Sequence, residues 1–298
     1  MNYAYYPGCS LSESAEEYDR STREVLSRLG VQLEEIEDWT CCGASAVESV
    51  SRLLTFTLPG RNLALAGRDL PDKDVLVPCS ACYLNHLRVV RETAADKELL
   101  TRVNEVLDVE GLALAPGIRV RHLLDVLLND VDAENVAERV QRPLSGLVVA
   151  PYYGCQVLRP YPEFDDPERP RSMIPVLKAL GVEIHDWAKG GSCCGASLMA
   201  TKKEVALDAV ASILRAASGP NNGAHAIVTV CPMCQMNLEA HQQEAARRGG
   251  PSRPVTVLYL PQLMGLAFGL SRKDVMLHKN MVVTDDFLRA LEAETVKT

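Results

Sequence analysis

Ten cysteines carry the chemistry this chain can offer: Cys9, Cys41, Cys42, Cys79, Cys82, Cys155, Cys193, Cys194, Cys231 and Cys234. The first five read C-x31-CC-x36-C-x2-C and the second five C-x37-CC-x36-C-x2-C, with none left over. Such self-similarity signals an internal duplication. Adjacent cysteines make poor disulfides with each other, and ten cysteines in a reducing compartment point to metal or redox chemistry. Four soft thiolates suit zinc or an iron–sulfur centre. A tetrahedral zinc site has no place for a fifth, and a regular four-iron cube needs one cysteine per iron. The same surplus in both halves points to a polynuclear iron–sulfur centre with an unusual ligand set, in which some thiolates bridge metals. Two rivals stay open on spacing alone. Strand–CxxC–helix is also the local look of thioredoxin-type redox sites, although that leaves both cysteine pairs unexplained. Structural zinc would leave one cysteine of each set spare.

The residues around the cysteines repeat as well. Tyr6-Pro7-Gly8-Cys9 matches Tyr152-Tyr153-Gly154-Cys155, Asp38-Trp39 matches Asp186-Trp187, and Asn85 and Asn237 each stand three residues past the last cysteine. Most of the extra length of the second copy lies in the segment AKGGS, Ala188 to Ser192, directly before its cysteine pair. Gly8, Gly43, Gly154 and Gly195 are expected to let the backbone approach the centre closely. The six histidines form no metal-ligand spacing among themselves.

The elements that must position these groups follow from periodicity. NYAYYPGC and SGLVVAPYYGC read as opening strands, and EYDRSTREVLSRLG and RSMIPVLKALG as helices stopped by Gly. VQLEEIEDW and VEIHDW read as short strands. A helix is expected directly after each CCGAS, and DVLVPC and AIVTVC are β-branched strands running into helices that begin inside CxxC. Each half is therefore a parallel α/β unit, with all its cysteines at the carboxyl ends of strands, where sites of such sheets gather. The expected domains are 1–143 and 144–298, the second with a C-terminal helical tail.

Composition narrows the class. An apolar fraction of 47% with 23% charged residues is ordinary for globular proteins, and a net charge of -8 argues against nucleic acid as a partner. The start, MNYAYYPGCSL, lacks the features of a secretory signal. The longest apolar stretch, Val255 to Leu270, is too short for a membrane span and reads as a strand turning into a helix at Pro261. A soluble, cytoplasmic protein is the expectation.

With the spacing and the CCG triplets in view, the chain resembles the duplicated cysteine-rich CCG domain of the B-type subunit of heterodisulfide reductase over nearly its whole length. The resemblance implies one noncubane [4Fe-4S] cluster per half, with all five cysteines of each set as ligands, some bridging. It also implies cleavage, or formation in reverse, of a disulfide between thiol coenzymes held between the clusters, each supplying one electron. The chain carries no ferredoxin cysteine run, dinucleotide fingerprint or P-loop, so it resembles a catalytic subunit fed by others. In the family these are a small ferredoxin-like [4Fe-4S] subunit of the C type and a flavin-bearing subunit of the A type. The competing implication is a CCG-type electron-transfer subunit, relaying electrons between a flavoprotein dehydrogenase and quinone without disulfide chemistry. Family coenzymes carry sulfonate or phosphate, so basic residues near the second set are substrate candidates: Lys189, Arg159, Arg169 and Arg171. TDDFLRALEAE, Thr284 to Glu294, is a candidate docking segment, with a capping helix as the alternative.

Overall fold

In a computed structural model describing residues 1–219 and 223–293, each half folds around a short, wholly parallel sheet. In the first half the strands are β1 (Asn2–Tyr5), β2 (Gln32–Glu35), β3 (Val75–Val77) and β4 (Val120–His122), in the order β2-β1-β3-β4. The second half repeats this with β5 (Val148–Tyr152), β6 (Glu183–Ile184), β7 (Ala226–Thr229) and β8 (Thr256–Tyr259), in the order β6-β5-β7-β8. β3 and β7 are apolar, β-branched and fully buried, as strands covered on both faces must be. β2 and β6 lie at the sheet edges and are more polar and exposed.

This strand order creates a switch point. From β1 the chain crosses to one side to form β2, then returns to the other side to form β3, so connections diverge above the carboxyl ends of β1 and β3. Cys9 follows β1 and Cys79 follows β3. In the second half Cys155 follows β5 and Cys231 follows β7, so both sets fall at the crevice the topology leaves open.

The two halves share a core. The helix Glu16–Arg28 of the first packs on Leu260–Ala267 of the second, and Tyr18 stacks on Tyr259 with ring centroids 4.3 Å apart and planes 2° from parallel. The apolar run Val255 to Leu270 is the expected strand and helix, turning at Leu260. Residues 284–293 of the proposed docking segment form a helix, Asp285–Glu292, that buries Phe287 and Leu291 against the body of the protein, while Glu294 lies outside the described residues. The segment is thus a capping element on its apolar side.

One local expectation is corrected. No α-helix starts at either CCGAS. A single 3-10 turn follows, Val47–Ser49 or Ala196–Leu198, and the α-helices begin only at Arg52 and Lys203. The reason in the first half is the cap: Ser51 Oγ accepts a hydrogen bond from Leu54 N–H at 3.3 Å, so the helix is nucleated there.

Candidate functional site

The strand ends bring the sulfurs together. Cys9 Sγ lies 3.6 Å from Cys41 Sγ, and Cys42 Sγ lies 3.3 Å from Cys82 Sγ. In the second half Cys194 Sγ lies 3.5 Å from Cys234 Sγ, and Cys155 interacts with Cys193. Cys79 and Cys231 interact with the other cysteine of their CxxC motifs, which completes both sets. All ten cysteines are free. Two sulfurs bound at about 2.3 Å to one metal in tetrahedral geometry stand about 3.8 Å apart, so the pairs sit near the spacing of sulfurs that share a metal. Among the described residues no three His, Cys, Asp or Glu side chains are arranged to hold one metal ion. What is preformed is a set of sulfur pairs.

The backbone is shaped to these sulfurs. Gly8 and Gly154 adopt φ of +73° and +71°, and a Cβ on either would stand 3.0 Å from the last sulfur of its set, that of Cys82 or Cys234. A side chain would fill the space the sulfur occupies. At Gly43 and Gly195, with φ of +73° and +79°, a Cβ would press on the Val47 side chain at 2.7 Å or the Ala206 backbone at 2.8 Å.

Charge is provided for in two ways. Cys79 and Cys231 cap the helices Ser80–Ala95 and Pro232–Ala240, and Cys82 and Cys234 lie in the first turns, so free N–H groups and the helix dipole favour negative charge there. At the adjacent pairs, the N–H groups after the cysteines do this work. Gly43 N–H donates to Cys41 Sγ at 3.5 Å and Gly195 N–H to Cys193 Sγ at 3.4 Å. Hydrogen bonding with Cys41 and Cys82 holds Cys42 well below the ordinary thiol range. A hydrogen bond from Cys155, aided by Gly195 N–H, brings Cys193 down to about 6, and Cys194 is lowered chiefly by Cys234. Cys82 and Cys234 are pushed up, first by the sulfurs they bond and then by burial. Soft, closely paired donors, N–H groups aimed at sulfur and glycine cradles that a Cβ would fill together fit an iron–sulfur group in each half.

Three supports hold the cysteine segments, two of them repeated across the duplication, and sequence reasoning assigned none of them a role. Tyr6 OH donates to Thr40 C=O at 2.8 Å and Tyr152 OH to Ser192 C=O at 2.6 Å, each fixing the residue before the cysteine pair. Asn85 Nδ2 donates to Cys42 C=O at 3.0 Å and Asn237 Nδ2 to Cys194 C=O at 2.8 Å, tying pair to CxxC helix. Tyr18 OH reaches the carbonyls of both Pro78, at 2.9 Å, and Val230, at 3.1 Å, the residues directly before Cys79 and Cys231. One buried hydroxyl thereby brackets the two CxxC strand ends. The signal in the sequence was repetition itself for Tyr6/Tyr152 and Asn85/Asn237. Tyr18 had none.

The basic candidates divide. Arg159 is occupied: it donates to Gly191 C=O at 3.2 Å, to Pro167 C=O, and to the Glu168 carboxylate at 2.8 Å, stapling the AKGGS loop to the segment after Cys155. Arg169 and Arg171 line a cavity of about 920 Å³ with Tyr153, Lys178, His185 and Trp187. Lys189 is half-buried within the inserted loop and is not part of that cavity's wall. The loop folds closely onto β5: Gly190 C=O accepts from Tyr153 N–H at 2.9 Å and from Gly154 N–H at 3.2 Å.

The CCG family, a cysteine-rich domain, matches residues 3–86 and again 149–239. The chain is 36% identical over 283 residues, 94% of its own length and 96% of the relative's, to a Wolinella succinogenes protein named 8-methylmenaquinol:fumarate reductase membrane anchor subunit. It is 28% identical to an Archaeoglobus profundus protein named as like the B-type subunit of heterodisulfide reductase, covering 92% of this chain and 93% of that one. With the B-type subunit of a ferredoxin/F(420)H(2)-dependent CoB-CoM heterodisulfide reductase of Methanosarcina acetivorans, identity is 26%, over 95% and 94% of the two chains. A crystal structure of a hypothetical protein from Helicobacter pylori shares the fold, with a TM-score of 0.74 at 17% identity over 95% of this chain and 52% of that one. These three curated relatives are named as subunits of larger reductases, or as like one. Among the described residues no helix is long and apolar enough to cross a membrane. The chain belongs to the CCG cysteine-rich domain family and carries that domain twice.

Proposed function

We propose that this chain is the iron–sulfur electron-transfer subunit of a multi-subunit oxidoreductase, in which residues 1–143 and 144–298 each hold one [4Fe-4S] cluster, of noncubane form, with five cysteines. Cys9, Cys41, Cys42, Cys79 and Cys82 form the first ligand set, and Cys155, Cys193, Cys194, Cys231 and Cys234 the second. The observation that carries this reading is one arrangement of paired sulfurs built twice, down to the glycine under the last sulfur and the asparagine behind the pair. When bound, a cluster of this kind accepts and releases single electrons. The chain's own N–H groups and helix N-termini favour negative charge at the sulfurs, with Cys42, Cys193 and Cys194 lowered, and the inner sulfurs are buried. Cys9, Cys41 and Cys193 stay exposed, leaving an edge of each set open to a redox partner. Those partners are a flavin-bearing subunit of the A type and a small ferredoxin-like [4Fe-4S] subunit of the C type, on the cytoplasmic side, where free thiols persist.

Similarity to the Wolinella protein favours relay between a flavoprotein and a quinone. A second reading is cleavage or formation of a disulfide of thiol cofactors at the two clusters. Near-full-length similarity to the heterodisulfide reductase relatives and the exposed outer sulfurs support it. Arg171, with Arg169 beside it and Lys189 on the neighbouring loop, would there meet the anionic end of the substrate, while Arg159 serves the loop.

Iron and acid-labile sulfide are to be measured on anaerobically purified protein, with about eight of each expected per chain. About four iron with one zinc would overturn the paired-cluster reading. Reoxidation of the reduced complex by a menaquinone analogue and not by a CoB-CoM heterodisulfide is the expected outcome, and the reverse would put disulfide chemistry first.

A further inference from the structure

Behind the second cysteine set lies an acid that the first set lacks. Counting equally from the CxxC motifs, Glu239 occupies the place that Leu87 holds in the first half. It stands five residues past Cys234, about 7–8 Å along the helix at 1.5 Å per residue, and only 3% of its surface is exposed. Its Oε2 accepts from Met281 N–H at 3.0 Å and Gln235 Nε2 at 2.5 Å, while its Oε1, equally buried, has no hydrogen-bond partner. A buried carboxylate with an unpaired oxygen is costly; a protonated carboxyl is far less so.

Two further features give this acid a path inward and a path outward. Gln235, the residue after Cys234, accepts from Tyr259 OH at 3.3 Å through its Oε1, and Tyr259 stacks on Tyr18, whose hydroxyl holds the carbonyls before Cys79 and Cys231. A hydrogen-bonded line thus runs from Glu239 through Gln235 to Tyr259. On its other side Glu239 forms part of the wall of a cavity of about 1020 Å³ that includes Arg247, Arg253, Asp285, Asp286 and Arg289. From the first half, the buried Glu17 on the helix Glu16–Arg28 faces it and favours its protonated form, and Lys279 acts on Glu17 in the opposite sense. Burial, the largest influence, raises Glu239 to about 7, against backbone N–H groups of Met281 and Val282 that lower it.

We infer that Glu239 is a redox-linked proton site: it binds one proton, entering through the cavity, when the centre held by the second cysteine set gains one electron, and releases it when that electron leaves. The inference rests on the iron–sulfur assignment made above. The electron comes from a reduced iron–sulfur or flavin carrier, and one electron with one proton leaves the charge of the buried region unchanged. The first half has apolar Leu87 at this place and binds no such proton.

The experiment is an anaerobic redox titration of the loaded full-length protein, followed by paramagnetic resonance across the neutral pH range, in wild type, Glu239→Gln and Glu17→Gln. In wild type the midpoint potential of one of the two centres falls as pH rises and the other does not. In Glu239→Gln neither responds to pH. In Glu17→Gln the response persists but moves to lower pH, because a negative neighbour has been removed. Infrared difference spectra of reduced minus oxidised protein carry a carboxylic-acid carbonyl band in wild type that is absent from Glu239→Gln. An unchanged pH response in Glu239→Gln, or none in wild type, overturns the proton site while leaving the iron–sulfur reading intact. Failure of the second cysteine set to bind iron overturns both.

Discussion

After its last cysteine the first half continues Tyr83-Leu84-Asn85-His86-Leu87, and the second half continues Gln235-Met236-Asn237-Leu238-Glu239. The asparagines do the same work in both. Around them the halves diverge. His86 is fully buried, donates from Nδ1 to Cys82 C=O at 2.7 Å, and accepts at Nε2 from Asn62 Nδ2 at 3.3 Å. Asn62 in turn pairs with both the N–H and the C=O of Thr40, beside the cysteine pair. The first site is therefore braced by neutral groups, since burial pushes His86 down. The second site has Leu238 in that place, takes its bracing from the inserted AKGGS loop and Arg159, and keeps its one buried acid a residue further on. Duplication preserved what touches sulfur and released what lies behind it, so two centres of one design can differ in how they respond to protons.

The largest expected effect breaks the symmetry outright. Cys82→Ser and Cys234→Ser each remove the sulfur that Gly8 or Gly154 accommodates. Each variant is expected to drop from about eight to about four iron per chain, with the other half still loaded. Iron and sulfide analysis with paramagnetic spectra checks this. Loss of all iron from either single variant would mean that the halves assemble as one unit.

Next in size is a pH effect confined to the second half. Glu239 is raised in the folded protein from 4.5 to about 7, so between those values the folded state holds a proton that the unfolded state has lost. Stability then falls as pH rises through that window and levels off above it, at a cost of roughly 3 kcal/mol. Glu239→Gln is expected to unfold at higher denaturant than wild type at pH above about 8, and to match it below about pH 4.5. Urea unfolding at both ends of the range tests the sign. Leu87→Met, at the equivalent place in the first half, introduces no such dependence.

A smaller effect probes what the halves share. Gly8→Ala and Gly154→Ala force a side chain into a left-handed backbone and against a sulfur 3.0 Å away. The backbone alone costs about 1–2 kcal/mol, and iron retention is expected to fall in the substituted half only. Equal losses in both variants would show that the two cradles are equally tight.

How much of this is legible in the sequence follows the same division. Cysteine spacing, β-branched runs and the CxxC–helix junction expose the two parallel units, because those signals are local and are written twice. The fourth strand of the first sheet, β4, does not stand out: its three residues, Val-Arg-His, carry too little periodicity. The start of the helix after each cysteine pair is misplaced by periodicity because the 3-10 turn has helical composition, and Ser51 shows only in space that it is the cap. Tyr18 cannot be read at all. Its role depends on two carbonyls that belong to opposite halves, 60 and 212 residues away.

The smallest predicted effect makes one half resemble the other. His86→Leu installs the residue found at Leu238 and removes the bond to Cys82 C=O. That carbonyl keeps a partner within the helix and Asn62 keeps Thr40, so the loss at neutral pH is expected near 1 kcal/mol. The burial that holds His86 below its ordinary 6.5 means the unfolded chain binds a proton that the folded one does not as pH falls past that value. Wild type therefore loses stability on the acid side and His86→Leu does not, so the gap between them narrows below about pH 6. Urea midpoints at neutral and mildly acid pH measure it. A gap that widened on acidification would mean that His86 is charged beside Cys42, and that the first site too carries a titrating group.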